Sequence, residues 1–324
     1  MSSFEMQYAI GIDLGATKIA SVLLSHTGEV MKSSQIPTRA EEGPLAVLDR
    51  VAEQILDLAQ QRPGSIAGVG IGSPGKVDSN RGVVYNAVNL GWTDVDLTEE
   101  ITNRIHQSLP VWIQKDANLS ALGEVYFGAC QGLQDFVYLG VGSGLGAGII
   151  SSGRLITGSD WYAADVGHLS IDPEGPRCVC GGRGCAETVA SGPGLVRVAR
   201  QMLSRFPGGS KLSGRVELTP ADVLAAAHEG DALALQALAE VGRVLGIIMS
   251  ACTVILNPLR FVVGGGLGLA GFEFIVPAAL HELRQRTIPE SRSLLEILPS
   301  EVDSPAIGAA CLVWYARAGE TAKS

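Results

Sequence analysis

The sharpest chemical signal in the chain is the set His168, Cys178, Cys180 and Cys185, spaced H-x9-C-x-C-x4-C. Three thiols and an imidazole at this spacing suit tetrahedral Zn²⁺, and with no fifth ligand in view the site reads as closed and structural. Free buried thiols explain the pattern poorly, because Cys178 and Cys180 flank only Val179 and sit among Pro, Gly and Arg instead of core residues. A second signal is Asp13-Leu14-Gly15-Ala16-Thr17, which sets a carboxylate, a residue without Cβ and a hydroxyl across one tight turn. Such a turn can lay backbone N–H groups against phosphate while Asp13 holds a hydrated Mg²⁺ and Thr17 donates to an oxygen. It is equally an ordinary hairpin with an Asp in its turn.

Gly142-Ser143-Gly144 repeats the theme, and Gly264-Gly265-Gly266 offers flat backbone on which a nucleotide's base or sugar could lie. Neither matches G-x-x-x-x-G-K-[ST] or a dinucleotide fingerprint, so each alone is as much a turn as a site. Asp116 follows an apolar strand and opens a helical pattern at Ala117. A carboxylate at a strand's carboxyl end can accept a proton from a hydroxyl nucleophile, and an Asp there also serves as a helix N-cap. Position does not separate the two roles.

The elements that must hold these residues alternate between strands and helices, which defines an α/β class. Tyr8 to Leu14 and Lys18 to Leu24 predict a β-hairpin, with a third strand near Val30 to Ile36. Pro44 opens a helix whose apolar residues Leu45, Leu48, Val51, Ala52, Ile55 and Leu56 recur at three- and four-residue steps. Strands are expected at Ile66 to Ile71, delivering the loop Gly72-Ser73-Pro74-Gly75, and at Val111 to Gln114. Segments 8–24 and 136–150 echo each other as strand, glycine turn, strand, as two similar units with facing turns would require; common apolar hairpins produce the same likeness by accident. Helices follow at Ala221 to His228, Asp231 to Leu256, Phe272 to Arg286 and Pro305 to Tyr315, with strands at Arg260 to Val263 and Leu294 to Leu298.

Length and composition set the outer bounds. A chain of 324 residues exceeds what one hydrophobic core usually supports, so two domains are expected. With 46% hydrophobic and 18% charged residues it is globular, and a net charge of −9 argues against a nucleic-acid surface. The first residues lack a basic flank and long apolar stretch, so no export signal is expected. Leu245 to Leu256 is interrupted by Ser250 and Thr253 and reads as buried core instead of a membrane span. Cys130, Cys252 and Cys311 sit singly in apolar surroundings and read as core.

Together these segments resemble the ROK family of sugar kinases and related repressors, part of the larger hexokinase and actin-like group, over nearly the whole chain. GIDLGATKIA resembles the family's first phosphate motif, GIGSPGKVD its sugar loop, and VYNAVNLGW the segment whose Asn, here Asn89, contacts sugar. KDANLSALGE resembles the catalytic segment, LGVGSGLGAGII the second phosphate motif, DVGHLSIDPEGPRCVCGGRGCAE the zinc-and-sugar signature, VVGGGLG the adenosine loop and SPAIGAA the last helix. The resemblance implies two actin-like, ribonuclease H-like α/β domains with an interdomain cleft: residues 1–117 plus 305–324 as a small N-terminal domain, and 118–304 as a large one with the zinc loop.

It further implies ATP-dependent phosphorylation of a hexose or N-acetylhexosamine, glucokinase-like at the 6-hydroxyl, with MgATP as donor and structural Zn. Asp116 would be the general base. Asp13, Gly15, Ala16, Thr17, Lys18, Gly142, Ser143, Gly144 and Gly264 to Gly266 would hold Mg²⁺, phosphate and nucleotide. Ser73, Pro74, Gly75, Asn89, Lys115, Asp165, His168 and Glu187 would hold sugar, His168 serving zinc with one ring nitrogen and substrate with the other. The implied setting is cytoplasmic, with a small sugar as partner, no nucleic acid, no membrane, and a homodimer or homotetramer as the assembly. This chain departs from the family pattern at two pocket positions: Lys115 replaces the usual Asn and Asp165 the usual Glu. A cation beside Asp116 favours its ionised, less basic form, and the shorter Asp165 lengthens a sugar contact or routes it through water. Two alternatives follow: a catalytically weak sugar-binding protein, and a sugar-responsive repressor. The repressor needs a DNA-binding segment for which the seven residues before the first strand leave no room.

Overall fold

β-Branched and apolar residues in YAIGIDL and KIASVLLS favour extended chain, and the turn at Gly15 returns the second run along the first. The computed structural model, which describes residues 8–106, 108–302 and 304–321, opens with the antiparallel pair β1 (Tyr8–Leu14) and β2 (Lys18–Ser25), to which β3 (Val30–Pro37) adds. The seven residues ahead of Tyr8, and the expectations drawn from them, lie outside the described residues. Helix α1 (Pro44–Ala59) starts on a proline whose missing N–H costs nothing in a first turn, and it buries Val47, Leu48, Val51, Ile55 and Leu58.

β4 (Ile66–Ser73) pairs parallel to β1 and runs two residues past the span read from sequence. β5 (Lys76–Asp78), β6 (Val83–Tyr85) and β7 (Asp94–Asp96) form a small antiparallel sheet, followed by α2 (Leu97–Ile105), whose N-cap Asp96 accepts from the Glu99 N–H. These four elements escape a sequence reading: strands of three residues carry no period, and α2, at nine residues, buries Leu97, Ile101 and Ile105. β8 (Val111–Lys115) joins β4 in parallel, and α3 (Asp116–Phe127) leaves its carboxyl end.

The second set begins with the antiparallel strands β9 (Phe136–Val141), β10 (Leu145–Ser151) and β11 (Arg154–Leu155). Helix α4 (Gly192–Arg205) is a further element the sequence reading passed over, because Ser-Gly-Pro-Gly looks like a loop. Ser191 caps it, its Oγ accepting from the Gly194 N–H at 3.0 Å. After α5 (Pro220–His228) and α6 (Ala232–Leu256) come β12 (Arg260–Gly264), α7 (Gly266–Ala270), α8 (Phe272–Arg286) and β13 (Glu296–Pro299). Helix α9 (Pro305–Thr321) closes the described chain.

Sheet order settles the internal echo. The first sheet runs β3-β2-β1-β4-β8 and the second β11-β10-β9-β12-β13, each an antiparallel hairpin extended by parallel strands on its first member. The chain divides into two compact units: residues up to Gly132 with Thr157–Ala163 and the segment from Glu301, and Leu133–Ile156 with Ala164–Ser300. The first unit thus extends past residue 117, because α3 packs on α9, β4 and β8 within it. Its core gathers Ile10, Ile12, Leu14, Leu48, Ile55 and Ile71; that of the second gathers Val137, Leu139, Phe261, Leu238, Leu245 and Ile248. By length and composition α6 alone among the described residues could cross a membrane, and most of its apolar stretch is buried in the second unit.

Candidate functional site

In the first unit, parallel pairing sets the chemistry at strand ends. Register puts Asp13 opposite Gly72, Gly72 opposite Gln114 and Ser73 opposite Lys115, so β1, β4 and β8 deliver Asp13, the Ser73-Pro74-Gly75 loop and Asp116 to the same sheet edge. Burial, with the Asp116 charge adding to it and Lys18 opposing it, pushes the Asp13 carboxyl up to about 6 from an ordinary 3.8. Helix α3 begins one residue earlier than its apolar pattern predicts: Lys115 is the N-cap, without a side-chain capping bond, and Asp116 is the first helical residue. Asp116 Oδ1 accepts from the Ala117 N–H at 2.7 Å, where the helix N-terminus favours a negative charge.

The first turn has a support the sequence reading missed. Buried Thr38 donates its hydroxyl to the Gly15 carbonyl at 2.7 Å and its N–H to the Thr17 carbonyl at 3.0 Å, while the Gly15 N–H donates to the Lys18 carbonyl. The available signal was a hydroxyl residue just after β3, the neighbour strand. Gln114 and Asn118 form a second unforeseen support: Gln114 Oε1 accepts from the Lys115 N–H and from Asn118 Nδ2, bracing the strand-to-helix junction before Asp116. Ala16 and Thr17 lie on the turn, Lys18 Nζ donates to Gln35 Oε1 at 3.2 Å, and Asn89 lies exposed in a short turn after β6.

In the second unit the Gly142 N–H donates to the Gly144 carbonyl, and the Gly192 N–H at the start of α4 donates to the Gly142 carbonyl at 2.7 Å. Glu187 Oε2 accepts from the Leu145 N–H at 3.1 Å. A Cβ on Gly144 would stand 2.5 Å from that oxygen, so only glycine lets the carboxylate close on the turn. Gly264 to Gly266 adjoin the same turn: a Cβ at Gly265 would meet the Val141 carbonyl at 2.5 Å. Asp165 and His168 share one short turn, the His168 N–H donating to the Asp165 carbonyl, and the Ala186 N–H donates to the Leu169 carbonyl. That bond joins the short turns Val166–His168 and Ala186–Thr188.

The predicted metal ligands converge. Ligand atoms of His168, Cys178, Cys180 and Cys185 all lie within 4.8 Å of one another. Cys178 Sγ is 3.8 Å from His168 Nδ1 and Cys180 Sγ 3.7 Å from Cys185 Sγ. Those are edges of the size that a tetrahedron with bonds of about 2.0–2.3 Å requires. Gly184, at φ +67, makes the tight return possible: a Cβ there would lie 1.6 Å from the Asp172 carbonyl. Burial pushes the Cys185 thiol up to about 12, while the Gly182 N–H holds Cys180 below the usual thiol range. This donor set fits zinc and ties up the His168 nitrogen on the thiol side, Nδ1.

A repeated sheet plan with a glycine hairpin turn in each unit is the architecture of the two-domain, actin-like α/β fold. The ROK family model matches residues 9–315, and the chain belongs to the ROK family. It is 34% identical over 310 residues to a glucokinase of Thermotoga maritima, covering 94% of this chain and 96% of that one. It is 32% identical over 308 residues to a xylose repressor of Caldicellulosiruptor bescii, covering 94% of this chain and 76% of that one. A ROK family glucokinase from Streptomyces griseus, solved in complex with glucose and AMPPNP, matches it with a TM-score of 0.78 at 30% identity, over 94% of this chain and 98% of that one.

Proposed function

We propose that this chain is an ATP-dependent sugar kinase, transferring the γ-phosphoryl group of MgATP to a hexose or N-acetylhexosamine hydroxyl, in the glucokinase manner at the 6-hydroxyl. The observation that carries this reading is the pair Asp13 and Asp116, two carboxylates close enough to raise the proton affinity of one of them, at the sheet edge where α/β proteins place ligands. They divide the work. Asp116 accepts the sugar hydroxyl proton as that oxygen attacks phosphorus in line, and the bond to the departing ADP oxygen breaks. Asp13 would hold the Mg²⁺ that accompanies the nucleotide, and that ion would supply positive charge favouring the ionised carboxylate.

Gly15 to Lys18 and Gly142 to Gly144 hold phosphate with backbone N–H groups, and Gly264 to Gly266 bear the nucleoside. Ser73 to Gly75, Asn89, Lys115, Asp165, His168 and Glu187 orient the sugar. His168, Cys178, Cys180 and Cys185 would hold zinc, which would keep the imidazole in one tautomer and leave His168 Nε2 to a sugar hydroxyl. Catalysis is chiefly positioning and charge stabilisation. The Caldicellulosiruptor repressor supports a second reading, a sugar-binding regulatory protein, in which Lys115 and Asp165 keep binding and weaken transfer. Asp116→Asn tests the first: kcat falls by about 10²–10⁴ while the sugar dissociation constant moves less than about threefold. Full turnover in that variant overturns the assignment.

A further inference from the structure

The second unit holds a cavity of about 510 Å³ between the loop that carries the three thiols, α4 and α6. Its volume lies in the range of small-molecule sites, and Asp172, Glu174, Arg197, Arg205, Glu240 and Arg243 line it. Glu240 and Arg243 hold each other through hydrogen bonds of 2.8 and 2.7 Å, and Asp172 adds to the negative field on Arg243. Arg197 is different. Its Nε and Nη2 both donate to the Thr188 carbonyl oxygen, at 3.0 and 2.8 Å, and no carboxylate pairs with it among the described residues. Burial works against its charge, with no anion to offset the loss of water. Arg205 lies two turns further along the same face of α4, also without a carboxylate partner among the described residues.

The geometry points to a binding site for a small organic anion that carries hydroxyl groups, a sugar phosphate in chemical class. Arg197, through the Nη1 that its bonds to Thr188 leave over, and Arg205, through its guanidinium fork, take the phosphate. Asp172 and Glu174, on the loop that forms the other wall, accept from hydroxyls. The site shares no residue with the reaction described above, so it goes beyond that reading and stands without it. It also touches the reaction's supports: Thr188, which Arg197 grips, follows Glu187, which closes the Gly144 turn.

Isothermal titration calorimetry of the intact chain tests the site, with glucose 6-phosphate, inorganic phosphate and glucose as separate probes and a further titration of glucose 6-phosphate into glucose-saturated protein. Glucose 6-phosphate binds in the presence of saturating glucose, and binds more tightly than inorganic phosphate. Arg205→Ala and Arg197→Lys each weaken it by about tenfold or more, the scale of one hydrogen bond to a charged group, and Asp116→Asn leaves it unchanged. The proposal is overturned by absent binding, by displacement with glucose, by an unchanged constant in Arg205→Ala, or by inorganic phosphate binding equally well. Failure of the kinase reading shows separately, as absent ADP release, and leaves these constants where they are.

Discussion

Replacing Asp13 with Asn makes the protein more stable at neutral pH and not at acid pH. In the fold the Asp13 carboxyl is pushed up to about 6 from 3.8, first by burial and then by Asp116. Between those two values the folded chain keeps a proton that the unfolded chain has released, so this group's contribution to stability falls as pH rises through the window and stays low above it. At roughly 1.36 kcal/mol per pH unit the gap amounts to about 3 kcal/mol. Asn cannot ionise and escapes that loss. Asp13→Asn is therefore expected to exceed the wild type by about 3 kcal/mol at pH 8 and by under about 1 kcal/mol at pH 4, where the folded wild type keeps the Asp13 carboxyl protonated and little of the loss has built up. Urea unfolding followed by tryptophan fluorescence reads the right region, because Trp92, Trp112, Trp161 and Trp314 all belong to the first unit. Taking the difference between the two pH values cancels any pH-independent effect of the amide. Equal stability differences at pH 4 and pH 8 refute the burial-and-repulsion account of Asp13.

Two further outcomes follow from the second unit. Gly144→Ala forces the Glu187 carboxylate off the Leu145 N–H, since the new methyl would stand 2.5 Å from its oxygen; overpacking of about 1–3 kcal/mol lowers kcat/KM for nucleotide by about tenfold, with the circular dichroism spectrum unchanged. Elemental analysis finds zinc at about one ion per chain in the purified protein, and Cys185→Ser loses it. Chelation raises KM for sugar more than it lowers kcat, as expected of a metal that positions His168.

Legibility in the sequence followed the range of each signal. The hairpin at Gly15, α1, α6 and the His/Cys quartet announce themselves through local spacing, and the structure places them accordingly. Strands β5 to β7 are too short to show a period, and α4 begins on Gly-Pro-Gly, which masks a helix whose start is secured by the Ser191 cap. Site residues divide in the same way. Asp13 and Asp116 are separately ambiguous, and only parallel pairing through β4 brings them to one edge. Thr38 supports the Gly15 turn from across the sheet, with only a hydroxyl at the end of β3 to signal it, and Gln114 braces the junction before α3 through Lys115 and Asn118, a duty its residue type alone does not mark. Lys115 illustrates the opposite case: its departure from the family pattern is plain in the sequence, whereas its place as N-cap of α3 comes only with the backbone.

The central claim is phosphoryl transfer to a sugar, and a coupled ADP-release assay reads it directly. With MgATP as donor and glucose, N-acetylglucosamine, N-acetylmannosamine, mannose, fructose and allose offered singly, at least one sugar yields ADP in step with sugar phosphate, glucose foremost. Measurable sugar binding with no ADP released from any of the six contradicts the claim and leaves the chain a sugar-binding member of its family.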